Sequence, residues 1–313
     1  MNRMTYFRLK GNPVKTDNYV HWLHYEKPTS EEKLFLTEEM GVPLDFIEDA
    51  LDRYEVPRLE VTQNKFGVPI RLMLVSYPQI MNDYHSYVEY ETRPLAIILL
   101  SNRIFTISPS HVHFIEKLQM NHSEGSISSS HILLDLLWEL TQSYVQMIMD
   151  IDKTITDMEQ NIINTTRNEA FYKLIAIHKN LVYFDTGITE NHEIIKNLVE
   201  EEIFSNDRVE RELLHDIKVV SRQASVMVRE STDMIDHLSE VFSSVISNNL
   251  NNIMKFLTSL TVVLTIPTII GSFWGMNVGL PLDNSPFSFF LLLGISILLS
   301  IVTIFWLKKK DYL

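Results

Sequence analysis

The sequence predicts an α/β domain, followed by a long helical stalk and bundle, and closed by a C-terminal two-helix transmembrane hairpin. Three observations lead to this fold class. Residues 1–122 mix short strand-like runs with short helical ones. No Pro or Gly interrupts the chain from Ile203 to Ile266, over which apolar residues keep a helical rhythm. Near the C-terminus, two stretches carry no charge, 27 residues from Phe256 to Leu282 and 24 from Asn284 to Leu307.

Composition narrows the functional classes. In 313 residues, 27 Lys and Arg stand against 40 Asp and Glu, a formal net charge of -13, which argues against nucleic acid as a partner. The hydrophobic fraction of 45% with 9 Gly and 11 Pro excludes a disordered or collagen-like chain. The length suits two or three units. With no cysteine, disulfides, thiolate zinc sites, iron-sulfur clusters and cysteine nucleophiles are all excluded. Met1–Lys10 has no apolar run after Arg3, so nothing there reads as a secretory signal, and the upstream part is expected in the cytosol.

Within residues 1–122, Tyr6–Leu9, Arg71–Tyr77, Leu95–Leu100 and Arg103–Ser108 read as strands, and Ser30–Met40 and Pro43–Arg53 as helices. Thr29 and Ser30 before Glu31 and Glu32 form a helix-start pattern, and Ser101 with Asn102 a hairpin turn. The polar segment His122–Ser130 marks the domain boundary. Residues 123–250 are then a helical bundle and stalk. His131–Ile163 carries Ile132, Leu133, Leu136, Leu137, Leu140, Tyr144, Met147, Ile151 and Ile155 at helical spacing. Glu169–Glu202 does the same with Leu174, Ile177, Leu181, Ile188, Ile194 and Leu198, and both segments are expected to pack on the stalk. The stalk itself, with Leu213, Ile217, Val220, Ala224, Met227, Met234, Leu238, Val241 and Val245 on one seam, predicts a helix of about 70 residues, on the order of 100 Å long.

Residues 251–313 form the membrane part. Each uncharged run exceeds the roughly 20 residues needed to cross a hydrocarbon core of about 30 Å, which gives spans at about 253–274 and 286–307. Lys255 leads into the first span and Lys308, Lys309 and Lys310 leave the second, while the loop Gly275–Pro286 holds no basic residue. The positive-inside rule therefore puts both termini in the cytoplasm of a cell-membrane protein, with Trp274 and Trp306 at opposite interfaces with the lipid.

The first span also carries a polar stripe. Asn251, Met254, Thr258, Thr261, Thr265, Thr268 and Ser272 follow one another at spacings of three and four, so they share one helix face. A single Thr in a span is ordinarily helix-to-helix glue. A whole stripe turned toward a shared axis is a wall of hydroxyl and carbonyl oxygens, a pore. Between Lys255 and Asp283 there is no titratable side chain, so neither a proton relay nor a charged ion site exists at membrane depth. Neutral oxygens suit a hard cation that keeps much of its water, as Mg²⁺ does, whereas zinc or copper favours imidazole or thiolate.

Directly after this span stand Gly275, Met276 and Asn277. With this tripeptide, the two-span hairpin, the uninterrupted stalk, the run Asn251–Lys255 and the basic Lys308–Lys310, the chain resembles the CorA-type magnesium transporter family, the Gly-Met-Asn two-span metal ion transporters. Ile47–Ala50 through Glu55–Arg58 resembles that family's cytosolic domain. The resemblance implies a funnel-shaped homopentamer with one pore lined by the first span. It implies that Asn277 holds hydrated Mg²⁺ at the outer entrance, with Gly275 and Met276 shaping the loop that presents its amide. Further in, Thr268, Thr265 and Thr261 would line the path. Met254 and Leu257 would form an apolar gate near Asn251, with Leu257 competing with Thr258 for the inward position. It also implies that internal Mg²⁺ is sensed by acids between subunits, for which the ungapped stalk offers Asp216, so Mg²⁺ is both cargo and regulatory ligand. Two departures stand out: Trp274 occupies the position where the family commonly has Tyr, and Asp283 is the one acid of an outer loop that is often acidic.

Other readings compete with this one. The cargo can be Co²⁺, Ni²⁺ or Zn²⁺, or the hairpin can merely tether a coiled-coil scaffold, in which case the stripe and Asn277 have no purpose. No Gly-rich phosphate loop, His-Glu metal helix or Gly-x-Ser-x-Gly elbow is present, so nothing supports an enzyme. His111 with His113, or His21 with His24, offers metal-binding side chains, but isolated pairs are ordinarily surface or core histidines.

Overall fold

The structure, a computed structural model, describes residues 4–6, 22–84, 87–101, 103–121, 129–160, 167–201, 207–276, 287–310 and 312. The chain divides into two compact units, Met1–His237 and Leu238–Leu313.

The first unit is built on a six-stranded sheet of β1 (Met4–Tyr6), β2 (Trp22–Glu26), β3 (Arg58–Gln63), β4 (Pro69–Tyr84), β5 (Tyr87–Leu100) and β6 (Arg103–Ser108), in the order β1-β2-β6-β5-β4-β3. All pairings are antiparallel except β2 with β6. Strand alternation sends one set of side chains, including Leu23, Tyr25, Ile70, Leu72, Leu74, Ala96, Ile98, Phe105 and Ile107, to a face covered by Leu36, Phe46 and Ile47. These three come from α1 (Ser30–Glu38) and α2 (Leu44–Asp49). The expected start of α1 is a capping box: Thr29 Oγ1 accepts from the Glu32 amide, and Glu32 accepts from that of Thr29.

Strands β2 and β3 were not anticipated. The first is five residues long and contains His24 and Glu26; the second puts Arg58, Glu60 and Thr62 on one face of an edge. β4 and β5 run well past their expected limits at Tyr77 and Leu95, through Pro78 and Pro94. The register explains why both prolines are tolerated. β3 stops pairing with β4 at Leu74, and β6 pairs with β5 only from Ala96 onward, so each proline lies on a strand with one open edge.

The other sheet face is covered by α4 (Ser129–Gln160) and α5 (Arg167–Glu200), after α3 (His113–Asn121). Two asparagines, 11 residues and three turns apart, fasten α5 to the strands. Asn191 accepts from the Ser76 amide at 2.9 Å and donates to the Ser76 carbonyl at 2.7 Å, and Tyr144 Oη on α4 donates to that same carbonyl. Asn180 accepts from the Tyr90 amide at 2.8 Å and donates to the Val88 carbonyl at 2.7 Å. Ser76 lies beyond the point where β3 stops pairing with β4 at Leu74, and Asn191 satisfies both of its backbone groups. Tyr90, Phe184 and Tyr144 stack edge to tilted face beneath these bonds, with centroids 5.4 Å apart in each pair.

The stalk begins in this unit. α6 (Arg208–Trp274) is one helix of 67 residues, about 100 Å at 1.5 Å per residue, in agreement with the sequence expectation. Its early turns bury Leu214, Ile217, Ala224, Val228 and Ile235. His192 on α5 lies 3.1 Å from Ser221, and Ser231 Oγ donates to Asp152 on α4, whose carboxyl is held above its usual value by partial burial. The helices α4 and α5 thus meet the stalk, as expected, while also covering the sheet.

In the second unit α6 runs on through Pro267 to Trp274, and α7 (Ser288–Lys309) follows. Ser259 donates to the Tyr312 carbonyl at 3.0 Å, and Lys255 sits 5.8 Å from the Tyr312 ring. The most apolar windows of α6 and α7 are only 6% and 11% buried. A core helix of a water-soluble protein would be mostly covered. These two expose Phe256, Leu264, Phe273, Phe289, Leu298, Phe305 and Trp306, the side chains that lipid takes.

Candidate ion pathway

All the stripe residues of α6, Asn251, Met254, Thr258, Thr261, Thr265, Thr268 and Ser272, are exposed in the single chain, and so is Leu257. Ser259, one step round the helix, is instead buried and bonded to the C-terminal residues. Among the described residues, the stripe is therefore a surface without a partner inside the chain. Toward the N-terminal end of the span the polar surface continues as an open concavity of about 800 Å³ lined by Ser243, Ser244, Ser247, Asn248, Leu250, Asn251 and Met254.

The threonine hydroxyls are oriented by the helix itself. Thr261 Oγ1 donates to the Leu257 carbonyl at 2.9 Å, Thr265 to Thr261 at 2.7 Å and Thr268 to Leu264 at 2.9 Å. Each hydroxyl has one proton, and here it is spent one turn back. What remains on the exposed side is oxygen lone pairs. Water molecules around a cation direct their hydrogens outward, so such a surface accepts from a hydrated cation without stripping it.

The Gly-Met-Asn tripeptide begins where α6 ends. The Gly275 amide donates to the Gly271 carbonyl at 3.0 Å, and that of Met276 to Phe273 at 3.4 Å, a tightening of the last turn. Gly275 and Met276 are both exposed. Asn277 and Asp283 lie outside the described residues.

Asp216 is exposed on α6, in a shallow cavity of about 390 Å³ that it shares with Arg208, Arg211, Glu212 and His215. Of the histidine pairs, His21 is outside the described residues. His24 is a core residue, 5% exposed, with Nδ1 2.9 Å from Thr106 Oγ1. Burial, aided by nearby His111, pushes its imidazole down to about 4. His111 and His113 are exposed and gather with Glu116, a grouping that sequence spacing did not bring out.

Known proteins share this architecture. The complete structure of the CorA magnesium transporter from Methanocaldococcus jannaschii superposes with a TM-score of 0.83 at 21% identity, covering 100% of this chain and 98% of that one. The full-length CmaX protein gives 0.69 at 15% identity, over 95% of this chain and 91% of its own. In sequence, the chain is 22% identical over 302 residues to the cobalt/magnesium transport protein CorA of M. jannaschii, covering 93% of this chain and 91% of the relative. It is 20% identical over 311 residues to the magnesium transport protein CorA of Helicobacter pylori, covering 95% and 92%. A sequence model of the family described as CorA-like Mg²⁺ transporter protein matches residues 17–309. That match spans both units, from β2 through the end of α7, and the chain belongs to the CorA-like Mg²⁺ transporter family.

Proposed function

We propose that this chain is one subunit of a passive Mg²⁺ channel, in which five copies turn the stripe of α6 toward a common axis. Divalent cation transport is the activity of the family to which the chain belongs. The observation that carries the pore reading is the exposed row of Thr261, Thr265 and Thr268, whose hydroxyl protons are committed to their own helix. Hydrated Mg²⁺ is received at Asn277 on the outer side, supported by the turn at Gly275 and Met276, with Asp283 adding one acid per subunit. It passes Ser272 and the threonines, and Met254 with Leu257 closes the path by dewetting beside Thr258 and Asn251. Residues 1–122 and 123–250 form the cytosolic α/β part and the helical bundle with its stalk, residues 251–313 the membrane part, and both termini are cytoplasmic. Internal Mg²⁺ bound at acids that include Asp216 holds the channel shut, and its loss releases the stalks. No reaction chemistry is needed for any of these steps.

The test is Mg²⁺ flux into proteoliposomes, followed with an internal Mg²⁺-sensitive dye at low internal Mg²⁺. Wild-type chain should conduct, and Asn277→Ala should lose the flux. The triple change Thr261→Leu, Thr265→Leu, Thr268→Leu should abolish it without loss of assembly. Unchanged flux in the triple variant would reduce the hairpin to a tether. Asp216→Asn should weaken closure by internal Mg²⁺, and a normal response would remove Asp216 from the sensor. Co²⁺ is the second cargo to test, because the relative from M. jannaschii is named for cobalt as well as magnesium.

A further inference from the structure

We infer that the first unit carries a site for one transition-metal cation of the Zn²⁺, Ni²⁺ or Co²⁺ kind, ligated by His111, His113 and Glu116 and oriented by Glu26. The inference is independent of the pore, since it rests on side chains of Met1–His237 alone.

The local sequence explains why these groups meet. After β6 the chain is anchored by buried Val112, Phe114, Ile115 and Leu118, which turns His111, His113 and Glu116 to the same outer side of the first turn of α3. Both Ile115 and Glu116 amides donate to the Val112 carbonyl, at 3.1 and 3.4 Å. The preceding segment is also tied down. Ser108 Oγ donates to the Ser110 carbonyl at 2.7 Å, and Ser110 Oγ bonds to Gln79 at 2.6 Å and to Tyr77 Oη at 2.7 Å. His111 therefore projects from a held backbone.

The geometry has the form of a metal centre with its outer support. One ligand atom from each of His111, His113 and Glu116 lies within 4.8 Å of the others. His111 Nε2 is 3.4 Å from Glu116 Oε2. Two ligands about 2.0–2.1 Å from a tetrahedral ion are roughly 3.4 Å apart, so this pair already has the required spacing. The remaining closure needs only rotation of exposed side chains. On the opposite edge of the ring, His111 Nδ1 is 3.4 Å from Glu26 Oε2. A carboxylate on the far nitrogen fixes the tautomer that leaves Nε2 free to bind metal, the usual arrangement behind a ligating histidine. Glu26 reaches this position because parallel pairing sets it beside Ser108 at the end of β6. Lys117, the neighbouring cation on α3, is engaged by Glu139 at 2.8 and 2.9 Å and does not neutralise Glu116.

The ligand set determines which ion binds. Two imidazoles and a carboxylate favour Zn²⁺, Ni²⁺ and Co²⁺, whereas Mg²⁺ favours oxygen and keeps its water. Three protein ligands leave room for water or a further donor. That open side faces a cavity of about 860 Å³ whose wall includes His111, His113, Phe114 and Trp138. Occupancy would hold the start of α3 to the end of β2.

The experiment is titration of Ni²⁺ and of Zn²⁺ into the full chain in detergent by calorimetry, with Mg²⁺ in thousandfold excess, together with the visible absorption of bound Co²⁺. One ion per chain should bind and resist Mg²⁺. His111→Ala with His113→Ala should weaken binding at least 100-fold and remove the Co²⁺ bands. Glu26→Gln should keep the stoichiometry and weaken affinity about 10- to 100-fold. Asn277→Ala should bind as wild type does, which keeps the result separate from the pore. The single change His113→Gln, at an exposed position, serves if the double variant fails to fold. No binding, displacement by Mg²⁺ at comparable concentration, or wild-type affinity in the histidine variants would overturn the site.

Discussion

Two sets of polar side chains, one in each unit, make opposite kinds of contact. In the sheet unit, Asn180, Asn191 and Tyr144 are buried and bonded across elements, and they decide how α4 and α5 sit on β4 and β5. In the second unit, Thr261, Thr265 and Thr268 are exposed and bond only to their own helix. A buried polar group must find a partner within the chain, because an unsatisfied one costs about 1–3 kcal/mol. An exposed row that makes only local bonds is available to something outside the chain. The difference separates residues that hold the fold from residues proposed to serve the ion path.

The largest effect should come from breaking the first kind. Asn191→Ala leaves the Ser76 amide without its acceptor and opens a small cavity, although Tyr144 still serves the carbonyl. Denaturant unfolding of the full chain in detergent should show a loss of about 3–4 kcal/mol. A loss under 1 kcal/mol would mean that the asparagine bonds do not hold α5 to the sheet.

The next effect is slightly smaller and depends on pH. Burial keeps His24 neutral in the folded chain, down to about 4, while in the unfolded chain it titrates near 6.5. Between those values the unfolded state binds a proton that the folded state refuses, so stability is complete above pH 6.5 and falls as the pH drops toward 4. The His24 share is about 3 kcal/mol, and unfolding measured from pH 7 to pH 4 should show it. His24→Gln should flatten that part of the curve, and an unaltered slope would contradict the assignment.

The smallest effect sharpens the contrast. Thr265→Val removes a hydroxyl that bonds only within its helix, so unfolding free energy should move by less than about 0.5 kcal/mol. Flux should nevertheless fall. A stability loss as large as that of Asn191→Ala would show that the stripe is structural.

How legible each region was follows the same division. The long helix could be read directly, since its rhythm runs without Pro or Gly to Ile266, and even Pro267 fails to end it. That the stripe residues share one helix face could be read too, because a period of three and four survives in any surroundings. Strand limits were hidden because Pro78 and Pro94 look like punctuation, and only the pairing shows that each has an open edge. Nothing local marks Asn180 and Asn191 as bridging residues, because their partners are 90 and 115 positions away. The link from Glu26 to His111 was equally invisible, since parallel pairing of β2 with β6 creates it.

The inward-turned hydroxyl protons of Thr261, Thr265 and Thr268 have one more consequence. Chloride is solvated by N–H and O–H groups, and along these three residues it would meet oxygen with no hydrogen to offer. In the proposed pore, a wall without a single formal charge would thus discriminate by the sign of the ion, using nothing more than the direction in which three hydrogens point.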